Sequence, residues 1–228
     1  MADVASAVFR DTHGCWAFLD LWLPQLLRPD QVVLLASVVA EVTTALRAAQ
    51  ADTLRRLPAG PDDPAGPATL LMDADLRIRA STSRMDDRLR RLLPSPDGLA
   101  PVPAAAMNAA AQLLAIEDGL DRHEPQARTH IGEGQWVAVR AARLQPSGLI
   151  SVSVEPVTPA ERLDLCVRAF GFTPREADVV REVARGLDTV AIAGELHLAP
   201  YTVQDHLKSI FTKAGVGTRR DLVPLLTG

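Results

Sequence analysis

The stretch "TPREADVVREVARGLDTVAIAGELHLAPYTVQDHLKSIFTKAG", residues 173–215, decides how this chain reads. It holds three helical segments separated by tight breaks. Thr173, Pro174 and Glu176 fall at the N-cap, N1 and N3 positions of a first helix, about 174–185. Ala177, Val180, Val183 and Ala184 recur on one face of it, and Gly186 stops it. Asp188 caps a second helix, about 189–196, with Ile192, Ala193 and Leu196 inward. "HLA" is the turn. A third helix enters through Ala199 and Pro200 and ends at "GVGT". Val203, Leu207, Ile210, Phe211 and Ala214 form its apolar stripe, with Tyr201, Gln204, Asp205, Lys208 and Thr212 on the other side. Thr218 and Asp221 open a fourth helix, in which Pro224 predicts a kink or an early end.

A short helix, a tight turn and a longer helix make the arrangement of a helix-turn-helix, whose second helix lies in the major groove of DNA. The polar side of the third helix has the groups that base readout needs. An amide such as Gln204 pairs with adenine, an amine such as Lys208 with guanine, and a carboxylate such as Asp205 accepts from the cytosine amino group. The charge is less suited to DNA. Residues 173–228 carry as many acidic as basic side chains, although Lys208, Lys213, Arg219 and Arg220 face only Asp205 between positions 199 and 220. Phosphate contacts supply most DNA affinity, so a single copy is expected to bind modestly and two copies better. Periodicity alone fits a plain four-helix packing unit equally well.

The residues themselves separate the two. From Phe172 to Val223 the chain closely resembles the DNA-binding domain of LuxR-type regulators. The marks are "TPRE", Gly186-Leu187, Ile192, Ala193 and Leu196, "TV" at 202–203, His206-Leu207, "IF.KAGV" and Arg219. The resemblance implies double-stranded DNA as partner; the modest local charge points to a homodimer, and no enzymatic activity is expected because no nucleophile-base-acid set, metal cluster or phosphate loop stands out. It places Gln204, Asp205 and Lys208 at base-facing positions. It places Thr189, Thr202, His206 and Lys213 at phosphate-contacting or helix-positioning ones. Tyr201, Val203 and Arg219 complete the expected DNA-binding set. Ala199 and Pro200 replace the family's serine cap, and Val190 stands where a lysine is frequent.

Upstream the pattern changes to α+β. Residues 68–157 alternate short strands and helices: two strands, helices at 83–93 and near 104–118, then three strands. This resembles a PAS domain, opened by "LLMDADLRIRAS", and implies sensing of an unidentified small-molecule effector or dimerisation. Residues 58–67, "PAGPDDPAGP", read as a linker, and "PSPDGLAPVP" as a loop. Residues 1–57 resemble the tail of a GAF domain: a hairpin across "DTHG", then a long helix with the stripe Leu35, Val38, Val39, Val42, Leu46, Ala49 and Leu54. That tail reads as a truncated remnant serving as a dimer strut, with Cys15 and Trp16 in its core. The C-terminal four-helix domain spans 158–228. The second reading is a truncated, dimerising interaction protein with little or no DNA binding.

The 228 residues are 47% apolar with a net charge of -4, a globular composition. The excess of alanine and arginine over lysine reads as codon bias. Cys15 and Cys166 stand far apart without a Cys/His cluster, which argues against a zinc site. No cofactor is expected: no flavin-attaching cysteine motif stands out, and His123 and His130 read as loop or surface residues more than as haem ligands. Trp136 reads as core. The apolar run "VVLLASVVA" ends at Glu41, short of a membrane span, so the expectation is a cytoplasmic protein with no membrane partner.

Overall fold

The computed structural model describes residues 3–56, 68–92 and 104–228, which fall into two compact units. One joins the N-terminal segment, up to Arg56, to Pro159–Gly228; the other covers Leu57–Thr158. The expected linker at 58–67 and loop at 94–103 lie outside the described residues.

The first unit begins with strands β1 (Asp3–Asp11) and β2 (Gly14–Leu23), antiparallel across the Thr12–His13 turn. Alternation divides the hairpin into two faces. Ala7 and Phe9 are buried beneath helix α1 (Pro29–Arg55). Val4, Val8, Phe18 and Trp22 share the opposite face and are exposed. A two-stranded sheet is marginal alone, and this one is completed by α1 and the C-terminal helices. Along α1, Thr43, Ala51 and Leu54 are buried and Leu35, Val39, Val42 and Leu46 half-buried. Val38 and Ala49, expected in this stripe, are exposed beside it. Cys15 is also exposed, and Trp16 is half-buried under the Arg168 guanidinium, 4.9 Å from its ring centre. Neither is the core residue that the sequence suggested, because the hairpin has only one covered face.

The apolar run of α1 does not stop at Glu41. The whole 27-residue helix is long and apolar enough to cross a membrane by length and composition, and that stretch is mostly exposed. Its last turn is anchored by arginines. Arg162, buried in α4 (Pro159–Ala169), donates from Nη2 to the Leu54 carbonyl and from Nε to the Leu225 carbonyl, both at 3.0 Å. Arg55 donates from Nε to the Ala214 carbonyl at 3.0 Å and lies over Phe170.

Helices α5 (Pro174–Ala184), α6 (Thr189–Glu195), α7 (Pro200–Ala214) and α8 (Arg219–Thr227) follow. The caps are as expected: Thr173 with Glu176 forms a reciprocal box, Asp188 accepts from the Ala191 N–H, and Ala199 contributes no side-chain cap. Pro224 does not shorten α8, which runs on to Thr227. Its missing N–H leaves only the carbonyl of exposed Arg220 to water, while Leu222, Leu225 and Leu226 bury the other face.

The second unit is a five-stranded antiparallel sheet in the order β4-β3-β7-β6-β5. Its strands are β3 (Ala68–Met72), β4 (Ile78–Ser81), β5 (Gln126–His130), β6 (Trp136–Arg143) and β7 (Ile150–Pro156). Helices α2 (Ser83–Leu92) and α3 (Ala104–Glu117) lie in sequence between β4 and β5. Leu70 pairs with Val152 and Val139 with Val154, so one sheet face presents a continuous apolar layer. Met85, Leu89, Ala106 and Ala110 of the helices pack on it. Small alanines let α3 approach the strands closely. Trp136 is buried, as expected.

The two cysteines should differ sharply in reactivity. Burial pushes the Cys166 thiol up to about 12, whereas Cys15 is exposed. At pH 8, alkylation of native protein followed by mass mapping should label Cys15 and spare Cys166 until denaturant is added. Equal labelling would contradict this packing.

Candidate nucleic-acid interface

The candidate interface is built on α7, and its two sides follow from one periodicity. Val203, Leu207, Ile210 and Ala214 are buried against the rest of the domain, with Phe211 half-buried. Tyr201, Gln204, Asp205, Lys208 and Thr212 form one exposed face, with Tyr201 70% exposed although it is a large aromatic. Lys208 Nζ lies 3.0 Å from Asp205 Oδ1, an exposed pair one turn apart. Such a pair contributes little to stability and exchanges readily for other partners. The turn before α7 places His197 at φ +52, a left-handed position that histidine tolerates better than most residues. Gly215 ends α7 at φ +73.

The orientation of α7 depends on Glu176. This carboxylate is buried at the third residue of α5. It accepts the Thr173 N–H at 2.7 Å and the Ser209 hydroxyl at 2.6 Å, and Lys213 Nζ lies 2.6 Å away. Burial opposes its charge. The hydrogen bonds from Lys213, Ser209 and Thr173, with the attraction of the Lys213 ammonium, outweigh that cost and bring the carboxyl down to about 2. Lys213 also donates to the Gly171 carbonyl at 3.1 Å.

The structure therefore divides the expected set. Gln204, Asp205, Lys208 and Tyr201 come together on open surface. Thr189, at the start of α6, and Thr202 and His206 on α7 are half-buried at its margin. Val203 is fully buried and leaves the set, because it belongs to the core stripe. Lys213 is half-buried and held inside the domain by Glu176 and Gly171, an arrangement that suits the helix-positioning alternative of its expected role. Arg219 is half-buried and donates to the Leu187 carbonyl, closing the loop between α5 and α6. Val190, in the lysine position, is 70% exposed and offers no charge. Sequence reasoning missed Ser209 and read Glu176 only as a cap. The remaining signal, a serine and a lysine four positions apart on α7, names no partner by itself.

In the second unit, His123 is exposed with Nδ1 2.7 Å from Asp121 Oδ1, and His130 accepts the Gly134 N–H. Among the described residues, no three His, Cys, Asp or Glu side chains gather where they could hold a metal ion. An open concavity of about 440 Å³ is lined by Arg91, Ile131, Gly132, Glu133 and Gln135.

Two helices joined by a tight turn, the second exposing a polar face, define a helix-turn-helix DNA-binding domain. Residues 171–226 match the family described as "Bacterial regulatory proteins, luxR family", and this part of the chain is a LuxR-type helix-turn-helix domain. It is 47% identical over 57 residues to a protein of Mycobacterium tuberculosis named for HTH-type transcriptional regulation, covering 25% of this chain and 6% of that one. It is 40% identical over 52 residues to the transcriptional regulatory protein ComA of Bacillus subtilis, covering 23% of this chain and 24% of ComA. The chain thus matches only a small share of each relative's length. Over larger spans it is similar to phage VqmA, solved in complex with DPO, at 20% identity and a TM-score of 0.30, covering 70% of this chain and 79% of that one. It is also similar to SdiA, solved with octanoyl-rac-glycerol, at 14% identity and a TM-score of 0.24, covering 90% and 98%.

The Glu176 node makes a pH prediction. In the unfolded chain this carboxyl titrates near 4.5, and in the folded one near 2. A depressed folded value stabilises the fold above pH 4.5, and that contribution is lost as pH falls toward 2. Glu176→Gln should lower neutral-pH stability by on the order of a few kcal/mol and flatten the loss between those limits. Urea titrations across the range measure both. An unchanged acid profile would remove Glu176 from this role.

Proposed function

We propose that the chain is a cytoplasmic transcriptional regulator that binds double-stranded DNA as a homodimer. In this reading α7 enters the major groove, with Gln204, Asp205 and Lys208 facing bases and Tyr201, Thr202, His206 and Thr189 at the backbone. The carrying observation is the exposed amide, acid and amine face of α7 within a LuxR-type helix-turn-helix. The second unit is read as a PAS-like sensing or dimerising module, on the strength of five strands with two helices between the second and third. A small-molecule effector is part of this proposal; its identity is open. The β1–β2–α1 segment is read as a GAF-like remnant.

A second reading, weak DNA binding by a dimerising interaction protein, is favoured by one observation. Of the four basic residues between 199 and 220, Lys213 and Arg219 are engaged within the domain.

Fluorescence anisotropy against a family of duplexes separates the two. The regulator reading expects binding that weakens steeply with salt. Gln204→Ala with Lys208→Ala should cost about 10-fold to 1,000-fold and relax base preference. Lys213→Ala should lower thermal stability and leave the salt slope of the folded fraction unchanged. Wild-type affinity in the Gln204/Lys208 double variant would reject the assignment of α7.

A further inference from the structure

The first unit holds a cavity that the exposed face of α7 does not use. It measures about 850 Å³ and lies where the Thr12–His13 turn meets the end of α4 and the start of α5. Val167, Phe172, Pro174 and Ala177 form apolar walls. His13, Arg168, Arg181 and Lys213 also line it, with Asp178 as the one acid among its described lining residues.

Donors outnumber acceptors on these walls. An ammonium has three N–H groups, and Lys213 uses two, toward the Gly171 carbonyl and Glu176. A guanidinium has five. Arg168 gives its Nη2 to the Cys15 carbonyl, lies over Trp16 and has no carboxylate partner among the described residues. Asp178 is shared, with Arg175 at 3.4 Å and Arg181 at 3.3 Å, so one carboxylate answers two guanidiniums. The basic groups gather at Gly171. Lys213 Nζ lies 3.1 Å from its carbonyl, and a side chain at Gly171 would begin 3.2 Å from His13 Nε2 and 3.7 Å from Arg47 Nη1. The nearby acids are each taken: Asp11 by Arg47 and Glu176 by Lys213.

We propose that this cavity binds a small organic acid, with its carboxylate at the Gly171 end among His13, Arg168 and Lys213 and its apolar body against Val167, Phe172 and Pro174. The volume falls in the range of small-molecule pockets, roughly 300–1,000 Å³. The apolar walls favour an acid with a hydrocarbon body over a bare inorganic anion, which would leave them against water. The unanswered donors favour an anion over a neutral or cationic molecule. The site lies in the first unit and is separate from any effector of the second. Lys213 lines the cavity and, through Glu176, ties α7 to α5, so an occupant at Lys213 acts on the helix read as entering DNA. That effect on DNA rests on the regulator reading; the binding itself does not.

The test titrates the full chain, labelled with nitrogen-15, with 3-phenylpropionate, and in parallel with 3-phenylpropanol and acetate. Phenylpropionate should give saturable amide shifts at Thr12, His13, Gly171 and Phe172, and should bind at least about 10-fold more tightly than either control. Arg168→Gln should weaken binding by about 10-fold or more and Arg168→Lys by less. Because Arg168 also holds the hairpin, a second variant tests the space alone: Thr12→Trp, at an exposed position on the rim, should block binding with every cation in place and circular dichroism unchanged. Saturating phenylpropionate should change the duplex affinity of wild type and leave that of Thr12→Trp unaltered. No saturable shift at millimolar phenylpropionate overturns the proposal, as do shifts confined to residues 68–157, equal affinity for acetate, or wild-type binding by both Arg168→Gln and Thr12→Trp. Tighter binding of a glutamate-rich peptide to the same residues overturns the small-molecule assignment. An unchanged duplex affinity overturns the coupling through Lys213. A chain that binds the acid but no duplex leaves the site standing and removes the regulator reading.

Discussion

The orientation of α7 hangs on one buried carboxylate. Glu176 closes the N-terminus of α5 through the Thr173 N–H and reaches across to Ser209 and Lys213 on α7. A buried carboxylate is tolerable only with its oxygens satisfied. Here the satisfying groups come from two helices, so the energetic demand of one side chain becomes a geometric constraint between them. The apolar stripe of α7 fixes which side faces inward. It leaves the helix able to slide or tilt along the core, and the directional bonds at Glu176 remove that latitude.

Arginine makes other long-range constraints of the first unit, and it makes them mostly at carbonyls, Arg47 with Asp11 being an exception. The last carbonyls of a helix have no partner within it. Arg175 donates to the Leu196 carbonyl after α6, Arg55 to the Ala214 carbonyl of α7, and Arg162 to those of Leu54 and Leu225 near the ends of α1 and α8. A planar fork with several donors can serve two such sites at once, as Arg162 does; an ammonium serves them less well. The arginine-rich, lysine-poor composition, which reads as codon bias, thus has a structural use in this chain.

How far the sequence could be read follows from the range of each interaction. Hairpins, caps and helix faces depend on residues within about four positions, and "DTHG", Thr173, Asp188 and the α7 stripe all behave as local rules dictate. The pattern of five strands with two helices in the second unit was legible for the same reason. What escaped was long-range. Nothing near Glu176 announces Ser209 and Lys213, more than thirty positions on. Nothing near Arg55 announces Ala214. The family resemblance placed Lys213 and Arg219 in the expected DNA-binding set, Lys213 with a helix-positioning alternative; their engagement with Glu176 and Leu187 is not visible in sequence. The same holds for α1, whose stripe was legible but whose neighbours were not. Packing on the hairpin and α4 uses that stripe and turns the opposite side, where Glu41 is exposed, outward.

This redistribution of cations bears on how the domain could hold DNA. Four basic residues against Asp205 looked like a local excess. With Lys213 and Arg219 tied inside the domain, and Lys208 beside Asp205, Arg220 is the exposed cation that remains outside a pair in this stretch. Non-specific affinity scales with the number of phosphates neutralised, so under the proposed reading this stretch supplies few such contacts. Low background affinity is an advantage for selectivity, since base contacts then make up a larger share of the total. Under the proposed reading, joining two domains on one duplex would have a large effect, because the second contact becomes intramolecular. The Arg55 contact to the end of α7 ties α1 to this domain, so the cation-poor face of α7 and the long N-terminal helix belong to one packed unit.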